Sequence, residues 1–137
     1  MLRNKFLAFT MILLALPISV SADEPAKAAD TLVYELRIYT CNPGKLADLH
    51  KRFRDHTMRL FEKHGIKNIA YWVPADKPDT LIYIVAHKSR EAAEKSWSEF
   101  GHDPEWQAAY KESHKNGKLV KTVEHHYMSP TEYSPLK

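Results

Sequence analysis

The hydrophobic period of this chain changes at residues 42–45, and that change constrains the fold more than any other feature. Before it, in "LVYELRIYT" (32–40), side chains alternate: Tyr34, Leu36 and Ile38 form one set, and Val33, Glu35, Arg37 and Tyr39 the other. Successive side chains of a strand point to opposite faces, so this is a strand. "NPGK" then marks a turn. After it, Leu46, Leu49, Phe53, Thr57, Leu60, Phe61 and His64 recur every three or four residues, the stripe of an amphipathic helix. Gly65 suits the C-cap of that helix, and Lys63 and His64 in its last turn complement the dipole.

The periods go on alternating. "IKNIAYWVP" (66–74) and "TLIYIVAHK" (80–88) read as strands two and three, and the short connection "ADKPD" predicts that they pair antiparallel. Ser89 caps a second helix that runs to about Phe100. "GHDPEW" interrupts it, and Asp103 with Pro104 restarts it as N-cap and first helical residue. The restarted helix reaches about Asn116, Gly117 ends it, and strand four covers Leu119 to Met128. The order β-α-β-β-α-β, with the second helix broken, predicts a ferredoxin-like α+β domain: an antiparallel sheet, strand one central, both helices on one face.

The first 22 residues are expected to be a signal peptide. "MLRNK" is a basic start, "FLAFTMILLALPISV" an apolar run too short to span a membrane comfortably, and "VSA" a small-residue cleavage site. Residues 23–30, "DEPAKAAD", read as a flexible leader, and 31–137 as the single domain. Export implies a periplasmic or extracellular location, with no membrane anchor after cleavage. Of the 20 Lys and Arg, Arg3 and Lys5 leave with the signal, so 18 stand against 17 Asp and Glu. That balance, without a basic stripe, argues against nucleic acid as a partner. Cys41 is the one cysteine, so no internal disulfide forms, and a packing role is expected for it.

Helices can cover only one face of such a sheet. Tyr34, Leu36 and Ile38 are expected to face them, which leaves Glu35, Arg37 and Tyr39 on the far side. Strands two and three carry apolar or aromatic residues in both alternating sets, although a wet sheet face normally reads polar. A second copy of the chain is the simplest cover, giving a homodimeric barrel of the dimeric α/β type with Glu35, Arg37 and Tyr39 inside. Glu35 and Arg37 stand close enough to pair, with His or Glu side chains of strand four as further partners. Such a cluster either fixes the sheet or floors a ligand pocket. Trp72, Tyr83 and His87 on strands two and three are the other candidate ligand-binding residues. His102 and Asp103, at the helix break, are candidate acid–base residues, with helix capping as the alternative for Asp103.

Other chemistry finds no support. The eight histidines show no metal-ligand spacing, so no metal site is expected, and His50, His56 and His64 read as helix-surface residues. The four glycines form no phosphate loop, and no G-x-S-x-G elbow appears, so hydride or phosphoryl transfer on a nucleotide is not expected and no cofactor is assigned.

"YELRIYTCNPGK" from Tyr34, "WSEFGHDPEWQAAY" from Trp97 and "SPTEYSPLK" at the end, in this order, resemble the NIPSNAP family over about Leu32 to Lys137. The family is similar in fold to the dimeric α+β barrel proteins, so the resemblance implies that architecture. Animal members are linked to vesicle trafficking and mitochondrial signalling, whereas many bacterial members have no assigned activity. Related barrel families include small monooxygenases and haem-degrading enzymes. Three functional readings follow: a small-molecule binding protein with a cavity in a homodimer, a cofactor-free or haem-assisted oxidoreductase using that cavity, and a structural or interaction module.

Overall fold

The computed structural model describes residues 32–137. The expected signal peptide and leader lie outside them. Four strands form one antiparallel sheet: β1 (Val33–Cys41), β2 (Lys67–Trp72), β3 (Thr80–His87) and β4 (Val120–Met128), in the order β2-β3-β1-β4. β1 is central, as the sequence predicts. The helix layer consists of α1 (Leu46–Arg52), a π turn (Phe53–Thr57) and α2 (Met58–Lys63) as one rod, then α3 (Arg90–His102) and α4 (Pro104–Ser113). No helix among the described residues is long and apolar enough to cross a membrane.

Local chemistry accounts for the ends of these elements. In the turn after β1, Lys45 N–H donates to the Asn42 carbonyl (3.0 Å), and Gly44 takes the positive φ that its position demands. α2 ends in a Schellman motif: Ile66 N–H donates to the Phe61 carbonyl (2.9 Å) and Gly65 N–H to that of Glu62 (3.0 Å), with Gly65 at φ +75°. Ser89 Oγ accepts from Ala92 N–H (3.0 Å) at the start of α3. Asp103 caps α4, and Pro104 is its first residue.

The sheet is turned over relative to the sequence-based expectation. Glu35, Arg37 and Tyr39 lie beneath the helices, whereas Tyr34, Leu36 and Ile38 face away from them. The aromatic set of β3 decides this. Tyr83 is fully buried between sheet and helices, and Tyr39, Tyr71, Phe53 and Phe61 pack on its ring. Leu81 and Val85 share its face, and β1 follows in register, Tyr39 beside Leu81 and Glu35 beside Val85. Glu35, Arg37 and Tyr39 therefore do not point into the interior of a two-sheet barrel, because the larger rings need the deeper layer.

The outer face carries Leu36, Ile38, Ala70, Ile82 and Ile84, all half-buried, and Trp72, 50 % exposed. A bulge at Ile69 shifts the phase of β2, so that Asn68 and Tyr71 share the helix side and Ala70 and Trp72 the outer side. At one end of this face the C-terminal segment folds back: Tyr34 Oη donates to the Lys137 carbonyl (2.9 Å), and Pro130 and Leu136 border a groove of about 240 Å³ over Ile84 and Met128.

Candidate functional site

The site begins with a carboxylate on the central strand. Glu35 has no exposed side-chain surface. Arg37 Nη1 donates to its Oε1 (2.6 Å), and Trp97 Nε1 donates to its Oε2 (2.7 Å). His87 Nε2 lies 3.0 Å from Oε2, and His125 Nδ1 from β4 lies 3.2 Å from Oε1. Burial pushes the carboxyl pKa up, but the hydrogen bonds from His87 and Trp97 and the charge of Arg37 outweigh it and hold the pKa at about 2. The strand spacing explains the meeting. Glu35 and Arg37 are two apart on one face, β4 lays His125 beside Arg37, and β3 carries His87 at the buried end of the same face.

Arg37 extends the cluster. Its guanidinium lies 4.4 Å from the centre of the Trp97 ring, and Nη2 donates to Tyr39 Oη (3.3 Å). Tyr39 and Tyr83 meet edge to face at 5.2 Å. Tyr83 Oη and His87 Nδ1 are buried without a hydrogen-bond partner among the described residues. Burial drives the Tyr83 phenol well above its ordinary pKa, so it stays neutral. Glu35 and His87 are sealed from solvent, Arg37 keeps 15 % of its side chain exposed, and Tyr39 lines open space.

That space is a cleft of about 290 Å³ between the helix layer and the β4 end of the sheet. The helices stop short of β4, which leaves Val123 47 % exposed on the helix side of the edge strand. Tyr39, Phe53, Trp106, Tyr110 and Val123 line the cleft, with Tyr39 and Phe53 packed edge to face (6.3 Å). Arg52, Thr57, His114, Lys118 and Lys121 supply the polar lining. The π turn sets this geometry. Thr57 Oγ1 donates to the Arg52 carbonyl (3.2 Å), five residues back, and the wider turn delivers Arg52, Phe53 and Thr57 together to the cleft.

The remaining candidates lie elsewhere. Trp72 is on the outer face of the sheet, so it cannot share a pocket with Glu35, Arg37, Tyr39, Tyr83 and His87. His102 is exposed in the last turn of α3, its Nδ1 2.7 Å from the Ser98 carbonyl, and does not line the cleft. Asp103 is buried and fully used. Its Oδ1 accepts from Glu105 N–H (2.8 Å) and Trp106 N–H (3.3 Å), and its Oδ2 meets Lys63 Nζ (2.6 Å) and His64 Nε2 (2.7 Å). Those contacts hold its pKa far below the carboxylate range, and the residue ties the end of α2 to the start of α4. His64 is thus part of that tie rather than a surface residue. Cys41 is buried in the core, and burial pushes its thiol pKa up.

The sequence reading missed the cleft-lining residues Arg52, Phe53, Trp106 and Tyr110 as a group. One signal was available: Arg52 stands three residues after Leu49, a cation on an otherwise apolar helical stripe.

Residues 34–135 match the NIPSNAP family model. No curated protein matches the chain at a significant level. Among solved structures, a NIPSNAP family protein of unknown function from Agrobacterium tumefaciens superposes with a TM-score of 0.70 at 20% identity, covering 79% of this chain and 96% of its own. An uncharacterized NIPSNAP-like domain protein from Burkholderia xenovorans gives 0.68 at 16% identity, covering 78% and 91%. SnoaB, a cofactor-independent oxygenase from Streptomyces nogalater, gives 0.56 at 17% identity, covering 78% and 99%. At these identities the solved structures establish the shared α+β fold, and the family match over most of the chain establishes membership: the chain belongs to the NIPSNAP family.

Proposed function

We propose that this protein binds a small, largely apolar molecule in the cleft between the π turn, α4 and β4. One observation carries the reading: a fold that packs its aromatic rings tightly elsewhere leaves an aromatic-walled space of about 290 Å³ open to solvent. That volume lies near the lower end of those that hold small ligands, roughly 300 Å³ and above. The π turn supports it, because such turns cost helix regularity and recur where a helix serves a site. The test is binding of neutral 2-naphthol, read by tryptophan fluorescence. Val123→Trp, which fills the cleft from an exposed position, should abolish binding. Unchanged binding would place the ligand elsewhere.

An oxidative reaction in the same cleft is the second reading. The observation that favours it is the polar row from Glu35 through Arg37 to the Tyr39 hydroxyl in the cleft wall. SnoaB has the same fold and is an oxygenase. Oxygen uptake in the presence of bound phenols, abolished by Tyr39→Phe, is the expected result; no uptake leaves a binding protein. The apolar leader further supports export to the periplasm or beyond, and the uncovered outer sheet face supports a homodimer.

A further inference from the structure

Arg52 is a buried cation without an anion. It is 5 % exposed, yet among the described residues no carboxylate stands within ion-pair distance of it. Arg37 is the contrast, with the Glu35 carboxylate at 2.6 Å. The guanidinium of Arg52 lies 5.0 Å from the Trp106 ring and 5.3 Å from that of Tyr110, and its one hydrogen bond among the described residues runs from Nη1 to Ser113 Oγ (3.2 Å). Nε is buried with no partner among the described residues, as is that of Arg37, so what separates the two arginines is the missing carboxylate. Burial pushes the Arg52 pKa below the usual arginine value. A buried charge with unused donors is costly unless something pairs with it.

The surroundings say what that partner is. On the cleft side Arg52 is joined by further basic groups, His114, Lys118 and Lys121, and by no Asp or Glu among the described residues. On its other side it borders a more open hollow with Asp48, Asp55 and Glu112, whose carboxylates all stand beyond ion-pair distance of the guanidinium. The cleft's other walls are rings, and its volume suits one or two fused rings rather than a long chain. A planar guanidinium fork matches the two oxygens of a carboxylate. We propose that the cleft takes an aromatic carboxylate, with the carboxylate on Arg52 and the ring between the aromatic walls. This rests on the cleft being the binding site.

The experiment compares 2-naphthoate with 2-naphthamide, equal in shape and different in charge, by isothermal titration against the purified protein. The wild-type protein should prefer the anion by roughly tenfold or more, the gain from one well-placed charged hydrogen-bonding pair. Arg52→Gln should erase that gap, whatever it does to the affinity for 2-naphthamide, and Arg52→Lys should keep part of it. Equal affinities in the wild-type protein, or a gap that survives Arg52→Gln, would overturn the anion site and leave the cleft standing. Failure of both compounds to bind at millimolar concentration would overturn the cleft as well. The wild-type comparison decides even where a variant folds poorly.

Discussion

Glu35 shows how a single side chain organises the interior. It is the acceptor for Arg37 and Trp97 and the neighbour of two histidines, so removing its charge strands a buried guanidinium. Glu35→Gln should destabilise the protein by about 3–5 kcal/mol in chemical denaturation, the usual cost of breaking a buried ion pair. The pH dependence follows from the same contacts. The folded carboxyl has a pKa of about 2, below its ordinary 4.5, so the unfolded chain binds the proton more tightly. Its contribution, about 3 kcal/mol, is complete above pH 4.5 and is lost as pH falls toward 2. Melting temperatures across that window should fall for the wild type and stay flatter in Glu35→Gln. Trp97→Phe keeps the ring near Arg37 but removes the donor to Oε2. It should cost about 1–3 kcal/mol, because the carboxylate loses a partner it cannot replace with water.

At the scale of elements, the helix rod and its ends can be separated by experiment. Gly65→Ala places a side chain at φ +75°, where L-residues lose roughly 1–2 kcal/mol. The added Cβ would meet only Ser96 Oγ at 3.6 Å, an ordinary contact, so the loss measured by denaturation is backbone strain rather than a clash. Thr57→Val deletes the hydroxyl that holds the Arg52 carbonyl across the π turn. It should cost about 1 kcal/mol of stability and also weaken 2-naphthol binding, since Arg52 and Phe53 enter the cleft from that turn. Ser89→Ala is the control: a lost N-cap costs about 1 kcal/mol and, being far from the cleft, should leave binding unchanged.

For the whole molecule, the outer sheet face sets the expectation. Leu36, Ile38, Ile82, Ile84 and Trp72 form an apolar surface that the C-terminal segment covers at one end only. A second copy related by a two-fold would bury it. Light scattering after size exclusion should therefore give twice the chain mass, and Ile82→Glu should give a monomer that keeps its fold. A wild-type monomer would leave the face to another partner. The cleft lies on the opposite side of the sheet, so the monomeric variant should still bind 2-naphthol.

The sequence by itself determined the element order and most element ends, because those rest on local chemistry. A period of two or of three to four, a glycine able to take positive φ, and the caps Ser89 and Asp103 act over a few residues. Strand alternation also put Glu35, Arg37 and Tyr39 on one face of β1 and Tyr83 and His87 on one face of β3, while the register that joins the two sets belongs to the tertiary structure. Only the tertiary structure decided which face lies under the helices. The apolar set of β1 argues for the other side and both sets of β3 are apolar enough for either, so the choice follows from partners far along the chain, such as Trp97, 62 residues from the carboxylate it meets. The bulge at Ile69 and the π turn at Phe53–Thr57 are likewise adjustments to packing, with no periodic signature of their own. Each moves side chains by one position: the first sends Trp72 outward, and the second turns Arg52 toward the cleft.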